Sequence, residues 1–375
     1  MSIAFDNLIL QNYTFIMRKI DTKHLTPGMI IAEDVYIPEA KVLLVKKGDM
    51  ITQKDIAKFA FYSVHEVSIE SLKVEIPDGN YSDNATRSER VKASAEFQAF
   101  KHDFEDCTDR FEHTIKDIIN KNKDLELDEL MSPIYSLISQ EDTTNSVFDM
   151  LHNLREYDDA TYTHCINVAL ISNILAKWLR FSPDEVEIAT QAGLFHDIGK
   201  MMIPDTIIRK KGKLTDDEYN VIKTHPVIGY DVVKDMEISF HVKNAVLMHH
   251  ERCDGKGYPL KLPGPKIDKY AKLVAIADVY DAMTSARCYR GPLCPFIAIE
   301  TFEDDGFQKY DSEMILVFLK NIVDTYILNS VRLNTGEIGE IIFINRNKLS
   351  KPTIKVGNDY IDLTKCPGVF IEEII

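Results

Sequence analysis

Between residues 91 and 119 the apolar positions Phe97, Phe100, Phe104, Cys107, Phe111, Ile115 and Ile118 recur at steps of three and four. The spacing predicts one long amphipathic helix with a narrow seam. Such a seam suits packing on the chain's own helices, or a homodimer contact through helix 91–119. From about residue 130 to 330 helical periodicity dominates. Ser182-Pro183-Asp184-Glu185 reads as a capping box with proline in the first turn, and Thr215-Asp216-Asp217-Glu218 as a second box. The two ends have a different texture. Residues 17–75 mix short β-rich runs (42–45, 64–69) with turn signals at Pro27-Gly28 and Gly48, and a polar stretch follows at 77–88. After Asn329, short β-branched runs at 331–333, 341–344, 353–356 and 360–363 alternate with turns containing Asn or Gly. The expected fold class is mainly α. It has a small α+β module over 1–76, a linker with long amphipathic helices over 77–144, a helical domain over 145–330 and a small β unit over 331–375.

The composition, 45% hydrophobic and 27% charged, suits a soluble globular chain with a sizeable core. No run approaches 18 consecutive apolar residues, so no membrane span is expected. Residues 1–20 lack a basic head, an apolar stretch and a small-residue cleavage site, which predicts no export. The six cysteines form no CxxC pair and read as reduced thiols, so the expected location is cytoplasmic. With 44 basic against 59 acidic residues the net charge is −15, a field that repels duplex nucleic acid. A small anionic ligand needs local cations to overcome it.

The candidate chemistry lies in the histidines and aspartates of the helical region. His164 shares a stripe with Val168, Ile171 and Leu175, and Asp197, beside His196, ends a stripe of Val186, Ala189, Thr190 and Gly193. His249, beside His250, follows Val242, Ala245 and Val246, while Asp278 follows Ala271, Val274 and Ala275. His225 comes three residues after Ile222, with Pro226 expected to close that helix. These steps put polar side chains on buried faces. A lone histidine there is most simply a hydrogen-bonded core residue. So many ionisable groups without partners would cost several kcal/mol each, and a metal cluster satisfies them together. Nitrogen and oxygen donors without thiolate favour Fe or Mn. Seven donors suit two divalent ions with Asp197 as the bridge, and such a pair can make hydroxide near neutral pH for attack on a phosphate ester.

His196-Asp197-Ile198-Gly199-Lys200 resembles the signature of the HD phosphohydrolase superfamily, and the stretch from His249-His250-Glu251 to Gly257-Tyr258-Pro259 resembles its HD-GYP subfamily. Ala277-Asp278-Val279-Tyr280-Asp281 and Arg287-Cys288-Tyr289-Arg290 extend the likeness, which spans roughly residues 145–310. Leu25-Thr26-Pro27-Gly28-Met29 is similar to an N-terminal domain often fused to such proteins. The resemblance implies a helical phosphodiesterase that hydrolyses cyclic di-GMP to linear pGpG or onward to GMP. It implies that His164, His196, Asp197 and Asp278 hold one ion and that Asp197, His225, His249 and His250 hold the other. Lys200 would then stabilise the phosphate or protonate the leaving oxygen. Gly255, Gly257 and Tyr258 would shape the loop beside the ligand, and Arg287 and Arg290 would bind phosphate or guanine edges. With Arg209, Lys210, Lys211 and Lys213, these cations answer the acidic net charge, although 209–213 read equally as a solvated loop. Some family members carry a glutamate four residues before the first histidine, for a third metal. Ala160 stands there, so the expected site is binuclear. Two alternatives stay open: a phosphodiesterase for 3′3′-cyclic GMP-AMP, and a non-catalytic cyclic dinucleotide receptor.

Overall fold

The computed structural model describes residues 14–22, 25, 31–37, 42–49, 51–62, 64, 66–73, 86–120, 126–139, 144–154, 161–210, 212–285 and 291–375. The chain divides into two units, Met1–Ser82 and Asp83–Ile375. In the first, β1 (Thr14–Asp21) pairs antiparallel with β4 (Glu66–Lys73), and β2 (Val35–Tyr36) with β3 (Leu43–Val45). Helix α1 (Gln53–Phe61) packs there on a small core of Ile31, Val45, Ile51, Phe59, Val67 and Ile69. Pro27-Gly28 and most of the stretch 77–88 lie outside the described residues.

The second unit is mainly helical. Residues 91–119 do not form one helix: Ser94, in an extended conformation, ends α2 (Arg87–Ala93), and its hydroxyl caps α3 (Ala95–Ile119) by accepting the Phe97 N–H at 3.1 Å. A serine whose side chain can bond the backbone three residues ahead favours a helix start over a helix interior. The α3 seam from Phe97 to Ile115 is buried in the chain's own core with α4 (Leu127–Ser139), α5 (Thr144–Leu154) and α6 (Thr161–Trp178). The seam thus packs on the chain's own helices, the first of the two readings its spacing allows.

Helix α6 is buried on every side from His164 to Ala176, as is most of α12 (Lys269–Thr284). A helix apolar all round sits in the middle of a domain. Against this pair pack α7 (Pro183–Phe195) and α11 (Phe240–Met248), α10 (His225–Val233) packs on α11, and α8 (Asp205–Ile208) packs on α9 (Asp216–Ile222). The remaining helices are α13 (Pro295–Thr301), α14 (Phe307–Lys309) and α15 (Ser312–Thr325). Both capping boxes form, at Ser182 and at Thr215. His225 does not end a helix: α9 stops at Ile222, and His225 opens α10 with Pro226 in its first turn. Proline lacks the N–H that the first turn leaves unpaired anyway, so it starts this helix instead of merely stopping the last.

The chain closes with β5 (Ser330–Leu333), β6 (Ile338–Phe343), β7 (Thr353–Val356), β8 (Asp359–Asp362) and β9 (Ile371–Ile374). They form one antiparallel sheet in the order β8-β7-β6-β5-β9. Its inward residues Val331, Leu333, Ile341 and Ile354 belong to the same continuous core as the helices. Among the described residues no helix is long and apolar enough to cross a membrane.

Candidate metal centre

The seven predicted ligands come together in two adjoining clusters: Asp197, His225, His249 and His250 in one, and His164, His196 and Asp278 in the other. Local sequence explains how each arrives. Helices α6 and α12 cross in the core and deliver His164 and Asp278, while the end of α7 delivers His196 and Asp197. The 3-10 turn Ile198–Met202 follows at once. Its Gly199 lies so close to α10 that a Cβ would stand 2.0 Å from the His225 carbonyl oxygen. Only glycine admits that approach, which sets His225 against Asp197.

Asp197 is fully buried and faces both clusters. Its Oδ2 lies 3.3 Å from His196 Nε2 and 3.5 Å from His164 Nε2, and its Oδ1 lies 3.2 Å from His225 Nε2 and 3.6 Å from His249 Nε2. The histidines are oriented from behind. Nδ1 of His196 donates to Gly193 O at 2.7 Å, that of His225 to Ile222 O at 2.7 Å and that of His249 to Val246 O at 2.9 Å. His164 Nδ1 donates to the Asp281 carboxylate at 2.7 Å. Each acceptor lacks a proton of its own, so the ring proton sits on Nδ1 and the Nε2 lone pair points inward.

That arrangement leaves a surplus of lone pairs. His225 Nε2 and His249 Nε2 face each other at 3.1 Å, and His164 Nε2 faces Asp278 Oδ1 at 3.0 Å. His196 Nε2, Asp197 Oδ1 and His250 Nε2 are buried with no hydrogen-bond partner among the described residues. Each unmet group costs about 1–3 kcal/mol. Burial, helped by His249, holds the His250 pKa well below its ordinary value, and burial lowers that of His225. Burial alone would raise Asp197, but Lys200 and His196 outweigh it and keep the carboxyl well below the usual range. Burial would raise Asp278 as well, yet its carboxyl too is held well below the usual range. Inward imidazole nitrogens around ionised carboxylates form a donor set that fits divalent cations, with one Asp197 oxygen turned to each cluster.

The other predicted residues lie as follows. Lys200, a turn beyond Asp197, donates through Nζ to Asp197 Oδ2. Tyr258 stacks on His250 with ring centroids 4.7 Å apart, and its N–H donates to His250 O at 3.1 Å. Gly255 has φ +74°, the left-handed region that favours glycine. A Cβ on Gly257 would stand 2.5 Å from both Arg252 N and Glu251 Cα. Lys210 is held by Glu218, at 2.7 and 2.6 Å, so it is no free anion contact, while Arg209 and Lys213 are exposed. Ala160, Lys211, Arg287, Cys288 and Arg290 lie outside the described residues.

Two residues absent from the sequence-based site matter here. Asp281 is fully buried and accepts from Asn167 Nδ2 (3.1 Å) and Ser285 Oγ (2.8 Å) besides His164. Its signal was its place three residues after Asp278 on the same helix. The Glu251 carboxylate accepts the N–H groups of Leu260 (2.6 Å) and Leu262 (2.9 Å), clamping the loop that carries Tyr258.

Residues 146–314, within the helical region, match the HD domain family. Among curated proteins, this chain is 36% identical to a cyclic di-GMP phosphodiesterase of Pseudomonas aeruginosa over 55% of the chain and 50% of that protein. It is 40% identical to a cyclic di-GMP phosphodiesterase response regulator of Xanthomonas campestris over 41% of the chain and 42% of that protein. It is 34% identical to a 3′3′-cGAMP-specific phosphodiesterase of Vibrio cholerae over 45% of the chain and 39% of that protein. The chain thus spans half or less of the length of these relatives.

Proposed function

We propose that this protein is a cytoplasmic, metal-dependent phosphodiesterase that opens cyclic di-GMP to linear pGpG. The observation that carries the reading is the convergence of inward Nε2 lone pairs and both Asp197 oxygens on two adjoining points. His164, His196, Asp197 and Asp278 would hold one divalent ion, and Asp197, His225, His249 and His250 the other. The absence of thiolate from the set favours Fe or Mn. Bound in that donor set, divalent ions would supply Lewis acidity toward a phosphate and would lower the pKa of water near neutral pH.

This chain's own residues divide the remaining tasks. Asp197 fixes the two clusters against each other. Lys200, with Nζ at Asp197 Oδ2 and partly exposed, stabilises phosphate charge and holds a proton for the leaving 3′ oxygen. The Gly255–Tyr258 loop sets an aromatic ring over His250, beside the donors, and Arg287 and Arg290 supply guanidinium forks for phosphate or guanine edges. The five described cysteines are free, which suits a reducing cytoplasm.

The likeness to a 3′3′-cGAMP-specific enzyme makes that dinucleotide the competing substrate. The test is turnover by anaerobically prepared, iron- or manganese-loaded protein, with both dinucleotides in one assay. Faster loss of cyclic di-GMP with pGpG appearing is the expected result. Preferential loss of cyclic GMP-AMP would reassign the substrate, and tight binding of metal-replete protein without turnover would make it a receptor.

A further inference from the structure

The C-terminal β unit supplies no donor to the candidate metal centre, yet one residue ties it to the loop that stacks Tyr258 on His250. Glu303 lies in the π-helical turn Phe302–Gly306 between α13 and α14. Its carboxylate accepts the Leu349 N–H at 2.6 Å, the Ser350 N–H at 3.3 Å and the Ser350 hydroxyl, and pairs with Lys348 at 3.2 Å. One turn earlier, Glu300 pairs with Lys351 at 3.1 Å. Leu349 and Ser350 are buried, so the charge-assisted bonds they give Glu303 are shielded from water. A helix rarely widens into a π turn, and such turns concentrate at functional sites.

The same segment continues into α14, where the Lys309 carbonyl accepts the Cys253 N–H at 2.8 Å. Cys253 stands at the base of the Tyr258 loop. Its own carbonyl accepts the Gly264 N–H at 3.2 Å across the loop's far end, while Glu251 holds Leu260 and Leu262 inside it. Hydrogen bonds at its two ends, joined by the backbone of segment 302–309, therefore connect residues 349–350 to the base of the loop that stacks Tyr258 on His250.

We propose that the β unit braces this loop and that Glu303 is its positioning residue, holding segment 302–309 so that the Lys309 carbonyl fixes the base of loop 253–264. The consequence for turnover rests on the phosphodiesterase reading; the mechanical coupling does not.

Amide hydrogen exchange on the full chain tests the coupling directly. Glu303→Gln keeps the volume but turns an amide NH₂ toward groups that need acceptors. It should raise exchange in peptides spanning 253–264 by about tenfold, with metal content unchanged. Ser350→Ala removes the hydroxyl bond alone and should raise it less; it also serves if the first variant does not fold. Arg346→Ala severs the β unit from Asp324 and the Lys320 carbonyl on α15, away from the π turn, and should leave the loop as in the parent. Exchange changes confined to 300–306 and 348–351, or an equal rise in the Arg346 variant, would overturn the proposal. In metal-loaded protein the brace predicts a KM for the cyclic dinucleotide raised several-fold in Glu303→Gln with a smaller change in kcat. If the parent hydrolyses no dinucleotide, the exchange comparison still decides the coupling.

Discussion

Two of the places where this molecule joins histidine to aspartate resolve their chemistry in opposite ways. Beside α11 and α12, His241 Nδ1 donates to Asp268 Oδ2 at 2.7 Å. The same carboxylate accepts from Asn244 Nδ2 at 3.1 Å and, through Oδ1, from the Tyr270 N–H at 3.0 Å, capping α12. The His241 side chain is 29% exposed, so water can reach its ring. Donors and acceptors balance, and the pair is complete as it stands. Around Asp197 the balance fails: carbonyls and Asp281 take the ring protons, and the inward nitrogens meet other lone pairs. The presence of histidine and aspartate does not mark a cation site. A buried surplus of acceptors aimed at one place does.

The strongest way to break this contrast is Asp197→Ala. It removes the carboxylate shared by both clusters, and bound metal and turnover should each fall by more than the roughly 100-fold expected for an outer partner. Metal analysis and steady-state rates check it. Next, Asp281→Asn leaves every ligand in place but weakens the group that orients His164; metal affinity should drop about 10- to 100-fold, read by equilibrium dialysis. Gly257→Ala forces backbone apart at Arg252 and Glu251, and should cost about 1–3 kcal/mol in thermal stability while raising KM.

Acidification sharpens the comparison with a definite sign. Burial depresses the pKa of His225 and His250, so below pH 6.5 the unfolded chain binds protons that the folded, metal-free protein refuses. Stability contributed this way is present above that value and falls as pH drops through the window beneath it. Metal-stripped protein should melt lower at pH 5.5 than at pH 7.5, and added metal should raise the melting temperature more at the higher pH, where fewer protons compete for the same donors. The smallest effect is at the balanced pair: His241→Ala should cost about 0.5–1.5 kcal/mol in a thermal melt, with metal content unchanged.

Helical periodicity carried most of what could be read beforehand. The stripes that carry His164, Asp197, His249 and Asp278 pointed inward because a 3.6-residue period ties each polar position to its apolar neighbours, and Ser182 and Thr215 announced their helices through local bonds. What escaped depended on partners distant in sequence. Asp281 gains its meaning from His164, 117 residues away, and Glu303 from Leu349 and Ser350. Lys210 looked like a free cation until folding set Glu218 beside it. The break at Ser94 and the helix start at His225 were misjudged for a different reason. In both, a residue able to end one helix also begins the next, and the apolar rhythm runs across the junction unchanged.

The most direct test of the central claim is anomalous diffraction from crystals of protein reconstituted with manganese or iron. Two peaks should lie inside the helical domain, one on each side of Asp197, the first ringed by His164, His196 and Asp278 and the second by His225, His249 and His250. A metal-replete protein whose peaks fall elsewhere, or a site that stays without metal while those side chains keep their inward positions, would contradict the account.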